Sequence, residues 1–406
     1  MKPWLTVIGI GDDGLAGLAS AARALIATAE LLVGGARHLT MVSDSAVERL
    51  VWQQPFAETI AAIAAQRGRR VVVLASGDPM WYGAGATLAR HFRREEMLVL
   101  PHPGAFSLAA ARLGLPLADC TTLSLHARPL DTLRLHLAEG CRLLLLSEDG
   151  ATPTAVARLL REAGWGPSRL TVFEHLGGPE EAAHEATAAE WGEHRVADLN
   201  TIALECRAAP STRGLSHLAG LPDDAFAHDG QLTKRETRAA TMAALAPLPG
   251  ELLWDVGAGC GSIAIEWLRA ADRTDAIAIE RDTARGALIA RNAATLGVPR
   301  LEFVHGTAPA ALAGLPPPDA VFAGGGISDA ALLPVLWRAL RPGGRLVANV
   351  VTLDGERALL DWHAAHGGSL TRLAVSRAEP LGNPSGGRLG WRALAPVTQI
   401  LCVKPG

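Results

Sequence analysis

The sequence predicts an α/β fold of two domains, each built on a mainly parallel sheet. Short apolar runs alternate with segments of helical periodicity along most of the chain, as in parallel strands joined by helices. The length of 406 residues suits two domains. The alternation lapses over 208–230, where prolines and glycines crowd a polar stretch. We therefore expect a first domain over 1–207, a linker over 208–230 and a second domain over 231–406.

The first half carries strand and helix signals in turn. Apolar runs that end at glycine, proline or charged residues predict buried strands, and runs with a period of about 3.6 residues predict helices. The predicted strands are Leu5–Ile8, Val71–Ala75, Leu98–Leu100, Cys141–Leu146, Thr171–Glu174 and Thr201–Cys206. The predicted helices are Leu18–Glu30, Gly85–Arg94, Phe106–Leu113 and Thr154–Ala163.

The second half repeats the alternation and then departs from it. The predicted strands are Leu252–Val256, Ala276–Ile279, Glu302–His305, Ala320–Ala323, Arg345–Val351, Leu370–Ser376 and Val397–Val403. The predicted helices are Ser262–Ala271, Thr283–Leu296, Ala330–Leu340 and Gly355–Ala365. The last two strands follow one another without a helix between them, so we expect them to pair antiparallel.

Composition excludes several classes of protein. A net charge of -3 and a pI near 6.5 argue against a nucleic-acid-binding face, which would be basic. The five cysteines form no C-x-x-C pair and stand mostly in apolar runs, so we expect neither a metal site nor disulfides. No apolar run approaches the roughly 20 residues that cross a bilayer. We expect a cytoplasmic protein without nucleic-acid or membrane partners.

A glycine-rich loop follows the predicted strand that ends near Asp255. Such a loop can approach a ligand closely because glycine has no Cβ, and the helix that begins near Ser262 turns its free N–H groups toward it. About 25 residues later a second strand ends in Glu280, whose carboxylate can accept hydrogen bonds from both hydroxyls of a ribose. These features predict a nucleoside pocket at the carboxyl edge of the sheet. The loop residues are Gly257, Ala258, Gly259, Cys260 and Gly261.

The nucleoside that fits best is S-adenosyl-L-methionine, because its amino end is cationic and Asp255 can hold it. A dinucleotide is the main rival, but that fingerprint requires glycine at the sixth position of G-x-G-x-x-G, where this chain has Ser262. A purely structural glycine turn is the third interpretation, and it leaves the two acids in register unexplained.

Two further segments flank this predicted pocket. Thr233 and Glu236 form a T-x-x-E pattern before a helix, and a capping box is a sufficient explanation for it. Amino-group methyltransferases carry an N/D-P-P-aromatic loop where this chain has the glycines 324–326. An exocyclic amine is therefore not the expected acceptor, and the three glycines leave room for a large, flat one.

The second half resembles the decarboxylating precorrin C15-methyltransferase domains of cobalamin biosynthesis. The resemblance covers about 231–406 and implies a class I, Rossmann-like fold that binds S-adenosyl-L-methionine. It implies donor contacts from Thr233, the glycine loop, Glu280 and Ala308, with Thr307 standing where the family has an acid. The runs that carry it are Gln231–Glu236, Asp255–Ser262, Asp319–Gly326 and Asn349–Thr352.

Three loops, at 9–14, 76–79 and 103–107, are similar in order to V-G-x-G-P-G, S-G-D-P and P-G-x-S-S motifs, and Glu174–Gly177 is similar to E-N-L-G. With this set of motifs the first half resembles the tetrapyrrole methylases over about 4–206. Asp12-Asp13 replaces the usual Pro-Gly. The resemblance implies a donor folded into a cleft between two α/β subdomains, held mostly by backbone. The implied contacts are Asp12, Ser76, Gly77, Asp78, Trp81, Phe106 and Ser107.

Several of these residues have equally simple structural explanations. Trp81 could be a core aromatic and Asp78 an N-cap. His305, which ends a strand near the second site, is more readily a satisfied core histidine than a proton donor. The arginines that could bind substrate carboxylates are more readily solvated loop residues. They are Arg377, Arg388 and Arg392.

The order of the two motif sets implies a bifunctional enzyme. The resemblance implies methylation of a precorrin-6-type tetrapyrrole at C5 by the first domain and at C15 by the second, with decarboxylation of the ring C acetate. We expect S-adenosyl-L-methionine as the cofactor, the tetrapyrrole as the partner and a homo-oligomer as the assembly, and the sequence identifies no catalytic residue. The alternative is a generic class I methyltransferase on RNA or a small molecule, with a non-catalytic N-terminal domain.

Overall fold

The computed structural model describes residues 3–42, 47–380 and 388–406. The chain divides into two compact units. The first consists of Met1–Leu130 and Ala138–Gly214, and the second of Asp131–Leu137 and Leu215–Gly406. A short segment in the middle of the first half thus belongs to the second unit.

The first unit begins with a parallel sheet in the strand order β3-β2-β4-β1-β5. Every residue of the central strand β1 is buried, as expected for a parallel strand covered on both faces. Its strands are β1 Leu5–Ile10, β2 Leu31–Gly34, β3 Glu48–Val51, β4 Val71–Ser76 and β5 Met97–Leu100. Its helices are α1 Ser20–Ala27, α2 Ala36–Thr40, α3 Phe56–Ala64, α4 Ala84–Leu88 and α5 Ala105–Leu113.

A second sheet of the same unit is mixed, in the order β6-β7-β10-β8-β9. Only β6 and β7 pair parallel among its strands in the described residues; the other neighbours are antiparallel. Its strands are β6 Thr121–Ser124, β7 Arg142–Leu146, β8 Arg169–Glu174, β9 Ala182–Thr187 and β10 Asn200–Glu205, and α6 is Thr152–Glu162.

The second unit is a sheet in the order β13-β12-β11-β14-β15-β19-β16. The strands from β13 to β15 are parallel, and β19 runs antiparallel between β15 and β16. Its strands are β11 Leu252–Val256, β12 Asp275–Glu280, β13 Glu302–His305, β14 Ala320–Ala323, β15 Arg345–Val350, β16 Ser369–Leu373 and β19 Val397–Val403. Its helices are α7 Arg235–Leu245, α8 Ser262–Ala270, α9 Thr283–Thr295, α10 Leu332–Ala339 and α11 Leu353–His366.

The end of the chain confirms the predicted antiparallel pair and corrects its length. The run expected to be one strand over Leu370–Ser376 is divided, because β16 ends at Leu373. A second strand, β17 Ser376–Pro380, pairs with β18 Leu389–Ala393 as a separate two-stranded ribbon.

The expected capping box before α7 is wrong. The N-cap residue is Lys234, one residue later than expected, and no side chain caps the helix. Glu236 instead accepts a hydrogen bond at 2.6 Å from Arg377, which also donates to Asp223 at 2.9 Å. A long-range ion pair has therefore taken the carboxylate that the local pattern assigned to the cap. Arg377 is correspondingly not the solvated loop arginine that we expected.

The side chain of Arg238 on α7 is fully buried and joins several segments of the second unit. Its guanidinium donates to Glu266 on α8 and to Asp223, both at 2.8 Å, and to the carbonyls of Leu221 and Thr233. Glu266 also accepts from the backbone N–H of Leu221 at 3.0 Å. A buried charge is tolerated only when it is paired and hydrogen-bonded in this way. The pair therefore holds the chain before α7 against α8.

Removing one member of this buried pair should destabilise the second unit strongly. Arg238→Met leaves Glu266 buried without its partner, and we expect a loss of about 3–5 kcal/mol in unfolding free energy. The control is Arg341→Met, which breaks the half-exposed pair with Asp319 and should cost at most about 1 kcal/mol. Denaturant unfolding of each variant measures the difference; equal losses would contradict the assignment.

Candidate functional site

The glycine loop of the second unit has a backbone that L-residues rarely adopt. Gly257, Gly259 and Gly261 have φ of +72°, +59° and +82°. The N–H of Gly257 donates to the carbonyl of Ile279 at 2.9 Å, which holds the loop over the end of β12. A Cβ on Gly257 would lie 3.1 Å from the backbone nitrogen of Gly325. Glycine is thus needed both for the turn and for the close approach of a second glycine segment.

Glu280 ends β12 beneath this loop and is held by backbone N–H groups. One carboxylate oxygen accepts from Gly259 at 2.9 Å, and the other accepts from Arg281 at 3.0 Å and Asp282 at 3.1 Å. The side chain is buried yet lines a cavity. The oxygen bonded to Gly259 still has acceptor capacity, so the site is chemically able to take a ribose hydroxyl.

A cavity of about 940 Å³ opens at the carboxyl ends of the parallel strands of the second unit. This volume is at the upper end of small-molecule pockets and leaves space beyond a nucleoside. The glycines 324–326 also line it, next to the loop. Of the predicted donor contacts it brings together Thr233, Gly257, Ala258, Gly259, Cys260, Glu280 and Ala308.

Two predicted donor contacts lie outside this lining. The carboxylate of Asp255 is fully buried and accepts from the N–H of Ala264 in the first turn of α8 at 3.0 Å. Its other oxygen has no hydrogen-bond partner. A Cβ on Gly261 would meet Ile289 at 3.3 Å, so this glycine packs against α9. The structure thus places both residues behind the loop, where they support its shape.

Burial also changes the acidity of Asp255. Loss of solvent raises the pKa of Asp255 from 3.8 to about 7, against the hydrogen bond from Ala264, and the charge of Glu280 raises it further.

The cavity also has lining residues that were not predicted as contacts. Arg281 and Arg285 follow Glu280, and Asn349 lies near the end of β15. Arg285 is paired with Asp229 at 2.9 Å. Parallel strands end at one edge of a sheet, so the position of these lining residues at or just after the end of a strand could have identified them from the sequence.

In the first unit the three predicted loops meet. A Cβ on Gly9 would lie 1.9 Å from the carbonyl oxygen of Gly77, and a Cβ on Gly77 would lie 2.6 Å from the Cα of Gly104. The N–H of Gly77 donates to the carbonyl of Ile10 at 3.0 Å. The carboxyl ends of β1, β4 and β5 are therefore in contact only because these positions have no side chain.

Polar side chains surround this meeting point. Asp12 accepts from Arg37 at 2.6 Å and contacts Nδ1 of His175 at 3.0 Å. The hydroxyl of Ser76 lies 3.0 Å from Nε2 of His38. Burial, together with the charge of Arg37, lowers the pKa of His38 to about 4, so its ring is neutral near pH 7. Asp12 and Ser76 are thus fixed in orientation before any ligand binds.

The remaining predicted contacts of the first unit differ in exposure. Asp78 accepts from the N–H of Met80 at 2.9 Å and so closes a turn rather than capping a helix. Trp81 is 56% exposed, which rules out a core role for its ring. Phe106 is 5% exposed and packs into the core, whereas Ser107 is exposed on the first turn of α5. Only the backbone of Phe106 is therefore placed for a contact.

The other candidate side chains are not among the residues that line the cavity of the second unit. His305 is exposed at the end of β13, so the expectation of a core histidine is wrong. Arg388 and Arg392 are exposed. Within residues 3–42, 47–380 and 388–406, no group of three or more potential ligand side chains is placed to hold a metal ion. No helix of these same ranges combines the length and apolar character of a membrane span.

Comparison with known proteins assigns both halves to methyl-transferring families. Residues 4–191 match the model of the tetrapyrrole (corrin/porphyrin) methylases, and residues 224–404 match that of the precorrin methyltransferase domain. The chain is therefore a methyltransferase with two such domains in sequence. The fold class that we predicted, a tetrapyrrole methylase followed by a Rossmann-like methyltransferase domain, is confirmed.

Similar proteins extend over the full length. A precorrin-6Y C(5,15)-methyltransferase (decarboxylating) from a Sinorhizobium species is 51% identical over 98% of this chain and 96% of its own. An enzyme of the same name from Mycobacterium tuberculosis is 41% identical over 97% of this chain and 98% of its own. The solved C-terminal domain of the Rhodobacter capsulatus enzyme is 50% identical, covers 47% of this chain and 100% of that one, and has a TM-score of 0.44. The chain belongs to the family of decarboxylating precorrin-6Y C(5,15)-methyltransferases.

Asp255→Asn should remove a pH dependence from the stability of the second unit. The folded state keeps Asp255 protonated up to about pH 7, whereas the unfolded chain releases the proton near 3.8, so the wild type loses stability as pH rises through this window. Between pH 5 and pH 8, the unfolding free energy of the variant should therefore rise by about 2–3 kcal/mol relative to that of the wild type. Denaturant unfolding at both pH values measures this, and a difference that does not change with pH would contradict it.

Proposed function

We propose that this chain methylates a precorrin-6-type tetrapyrrole at C5 and C15 and removes carbon dioxide from its ring C acetate, giving precorrin-8 in cobalamin biosynthesis. The full-length similarity to enzymes with this name supports the substrate and both positions. The observation that carries the proposal is the cavity of about 940 Å³, which is lined by an anchored carboxylate, a glycine loop and a second glycine segment next to that loop. The carboxylate and the loop suit a nucleoside, and the volume leaves space for a large, flat acceptor.

The proposed methyl donor is S-adenosyl-L-methionine, which supplies an electrophilic methyl group on a sulfonium. The residues of the second unit fit such a donor. Glu280 would accept from the ribose hydroxyls, the loop over 257–260 would approach the nucleoside, and Thr233 and Ala308 would close the lining. Nothing lies within 4 Å of a Cβ built on Gly259, so the loop has open space on its cavity side.

We assign C5 methylation to the first domain, 1–207, and C15 methylation with decarboxylation to the second, 231–406. In the first domain the donor would lie at the meeting point of the three loops, against Ser76, Gly77, Asp78 and Ser107. Asp12 would act there through its loop, since both of its oxygens are already engaged. The exposed ring of Trp81 lies just beyond the Asp78 turn and is free to contact a ligand.

Charge at the second site fits a substrate rich in carboxylates. Lys234, Arg281 and Arg285 line the cavity. Guanidinium groups bind carboxylates with two parallel hydrogen bonds, which orients as well as attracts them. For decarboxylation the conjugated macrocycle accepts the electron pair of the broken C–C bond as carbon dioxide leaves, and a proton then adds to the product. The protein contributes a site that removes the acetate from solvent.

Alignment is the main catalytic task for both transfers. The meso carbons of a reduced tetrapyrrole are enamine-like nucleophiles and the methyl donor is already activated, so holding the two together can supply roughly 7–11 kcal/mol of the barrier. Rigid loops held by backbone hydrogen bonds, as at Gly77 and Gly257, provide that alignment.

Mass spectrometry of the substrate after incubation tests the proposal. With the intact chain and S-adenosyl-L-methionine, a precorrin-6-type tetrapyrrole should gain two methyl groups and lose one carbon dioxide. Gain of one methyl with loss of carbon dioxide would contradict an active first domain. No change in mass would reject the substrate and return the chain to a generic methyltransferase on RNA or a small molecule.

Glycine substitutions should separate the two transfers. Gly77→Ala inserts a Cβ 2.6 Å from the Cα of Gly104 and should abolish only C5 methylation, whereas Gly257→Val should abolish only C15 methylation and decarboxylation. Donor labelled with ¹³C in its methyl group distinguishes the two products by NMR. The controls are Gly140→Ala and Gly314→Ala, which have the same positive φ with nothing within 4 Å and should retain both transfers. Loss of both activities in either single variant would contradict the assignment.

A further inference from the structure

A histidine and a carboxylate meet between the two sheets of the first unit. Asp12 follows β1 of the parallel sheet, and His175 follows β8 of the mixed sheet. Oδ2 of Asp12 lies 3.0 Å from Nδ1 of His175, while Oδ1 accepts from Arg37 at 2.6 Å. The pair stands beside the loops that we assign to the methyl donor, and the proposed function as stated so far has no role for His175.

The geometry determines which nitrogen of the ring is free. A carboxylate that already accepts from an arginine can only accept again, so Nδ1 of His175 carries the hydrogen and donates it to Asp12. In the neutral ring Nε2 then holds a lone pair. An oxygen of Glu180 lies 3.9 Å from it, which is beyond hydrogen-bond distance. Nε2 is therefore available as a proton acceptor.

The backbone around the pair is built to bring these side chains together. His175 has φ of +49°, a left-handed conformation that costs free energy in a residue other than glycine. The N–H of Gly178 donates back to the carbonyl of His175 at 2.8 Å and closes the turn. A Cβ on Gly178 would lie 2.5 Å from Oδ2 of Asp12, so a larger residue there would displace the carboxylate.

Arg37 connects the pair to the donor loops. Besides its bond to Asp12, it donates to the hydroxyl of Ser76 at 3.5 Å, where the Ser76–Asp78 turn begins. Glu174, which precedes His175, is paired with His184 at 3.3 Å. The carboxylates of Asp12 and Glu180 lie beside the two ring nitrogens of His175, at 3.0 Å and 3.9 Å.

Methylation of a meso carbon requires a proton acceptor. The carbon forms a bond to the methyl group with its own electron pair, and the donor's sulfur keeps the pair of the broken S–C bond. The product is then cationic until the C–H bond at the same carbon breaks. Its electron pair restores the conjugated system, and the hydrogen leaves as a proton. Whichever group takes this proton must lie at the acceptor side of the donor loops.

We propose that His175 is the base that takes the proton released from C5, through Nε2, and that Asp12 is the residue that positions it. This inference rests on the proposed C5 methylation in the first domain. The proton passes to solvent from the ring, whose side chain is 27% exposed. The competing interpretation is that the pair only ties the two sheets together.

Chemical rescue distinguishes a catalytic base at position 175 from a side chain that only holds the two sheets together. His175→Asn keeps a residue that tolerates the left-handed conformation but has no basic nitrogen, and the C5 methylation rate should fall about 10²–10⁴-fold. The C5 methylation rate of His175→Gly should fall by the same factor and recover at least tenfold when imidazole is added. His184→Asn removes a second histidine that is paired with a carboxylate in the same sheet, and it should keep the wild-type rate. C15 methylation in the same full-length samples is the internal control.

A measurement that does not depend on turnover tests the role of Asp12. The full chain is labelled with ¹⁵N-histidine, and the signals of His175 are assigned as those absent from the spectrum of His175→Asn. Long-range ¹H–¹⁵N spectra should then show the hydrogen of His175 on Nδ1. Asp12→Asn should remove this preference and slow C5 methylation. The affinity for S-adenosyl-L-methionine, measured by calorimetry, should be unchanged in His175→Asn.

The outcomes separate this inference from the function on which it rests. A wild-type chain that adds no methyl at C5 rejects the proposed function. If the wild-type chain methylates C5 and His175→Asn methylates it at an unchanged rate, the role of His175 is overturned. A reduced rate that imidazole does not restore, or a hydrogen found on Nε2, also overturns it and leaves the pair as a structural tie.

Discussion

The buried charge of Arg238 is the constraint on which the second unit depends. A guanidinium without solvent needs nearly all of its donors satisfied, and the chain meets this need with Glu266, Asp223 and two carbonyls. One of those carbonyls belongs to Thr233, so the same pair that stabilises α7 and α8 also places a lining residue of the cavity. Asp223 then binds Arg377 and ties the ribbon of β17 and β18 to this centre.

Both units bring loop backbone close to the carboxyl edge of a parallel sheet, but by different means. In folds of this kind ligands bind at that edge. The first unit achieves this with three loops that touch where side chains are missing, at Gly9, Gly77 and Gly104. The second uses one loop, held over β12 by the carbonyl of Ile279 and by the carboxylate of Glu280. Similar chemistry therefore does not require a shared motif, which is why the halves have no repeat in sequence.

The sequence predicted what depends on local pattern and missed what depends on distant partners. Strands such as β11, β13 and β14 match their apolar runs residue for residue. The strands β3 and β9 were missed because they are edge strands without a buried face. The capping box failed because Glu236 found a partner 141 residues away, and the contact of Asp12 with His175 spans 163 residues without any local signal. The glycine loops were predictable because the backbone conformation that they require depends on glycines close together in the sequence.

An unusual backbone angle or an unpaired buried atom points to a functional residue here only when the residue also carries a reactive or titratable group. A positive φ is not diagnostic by itself, because Ala246 adopts one at the end of α7 without any polar role. His175 differs because its strained turn presents a ring to a carboxylate. Asp255 is similar, since a buried oxygen without a partner costs about 1–3 kcal/mol, yet it stands directly under the glycine loop. A strained backbone or an unpaired buried oxygen at a titratable group next to a glycine loop is therefore a reason to test that group for a functional role.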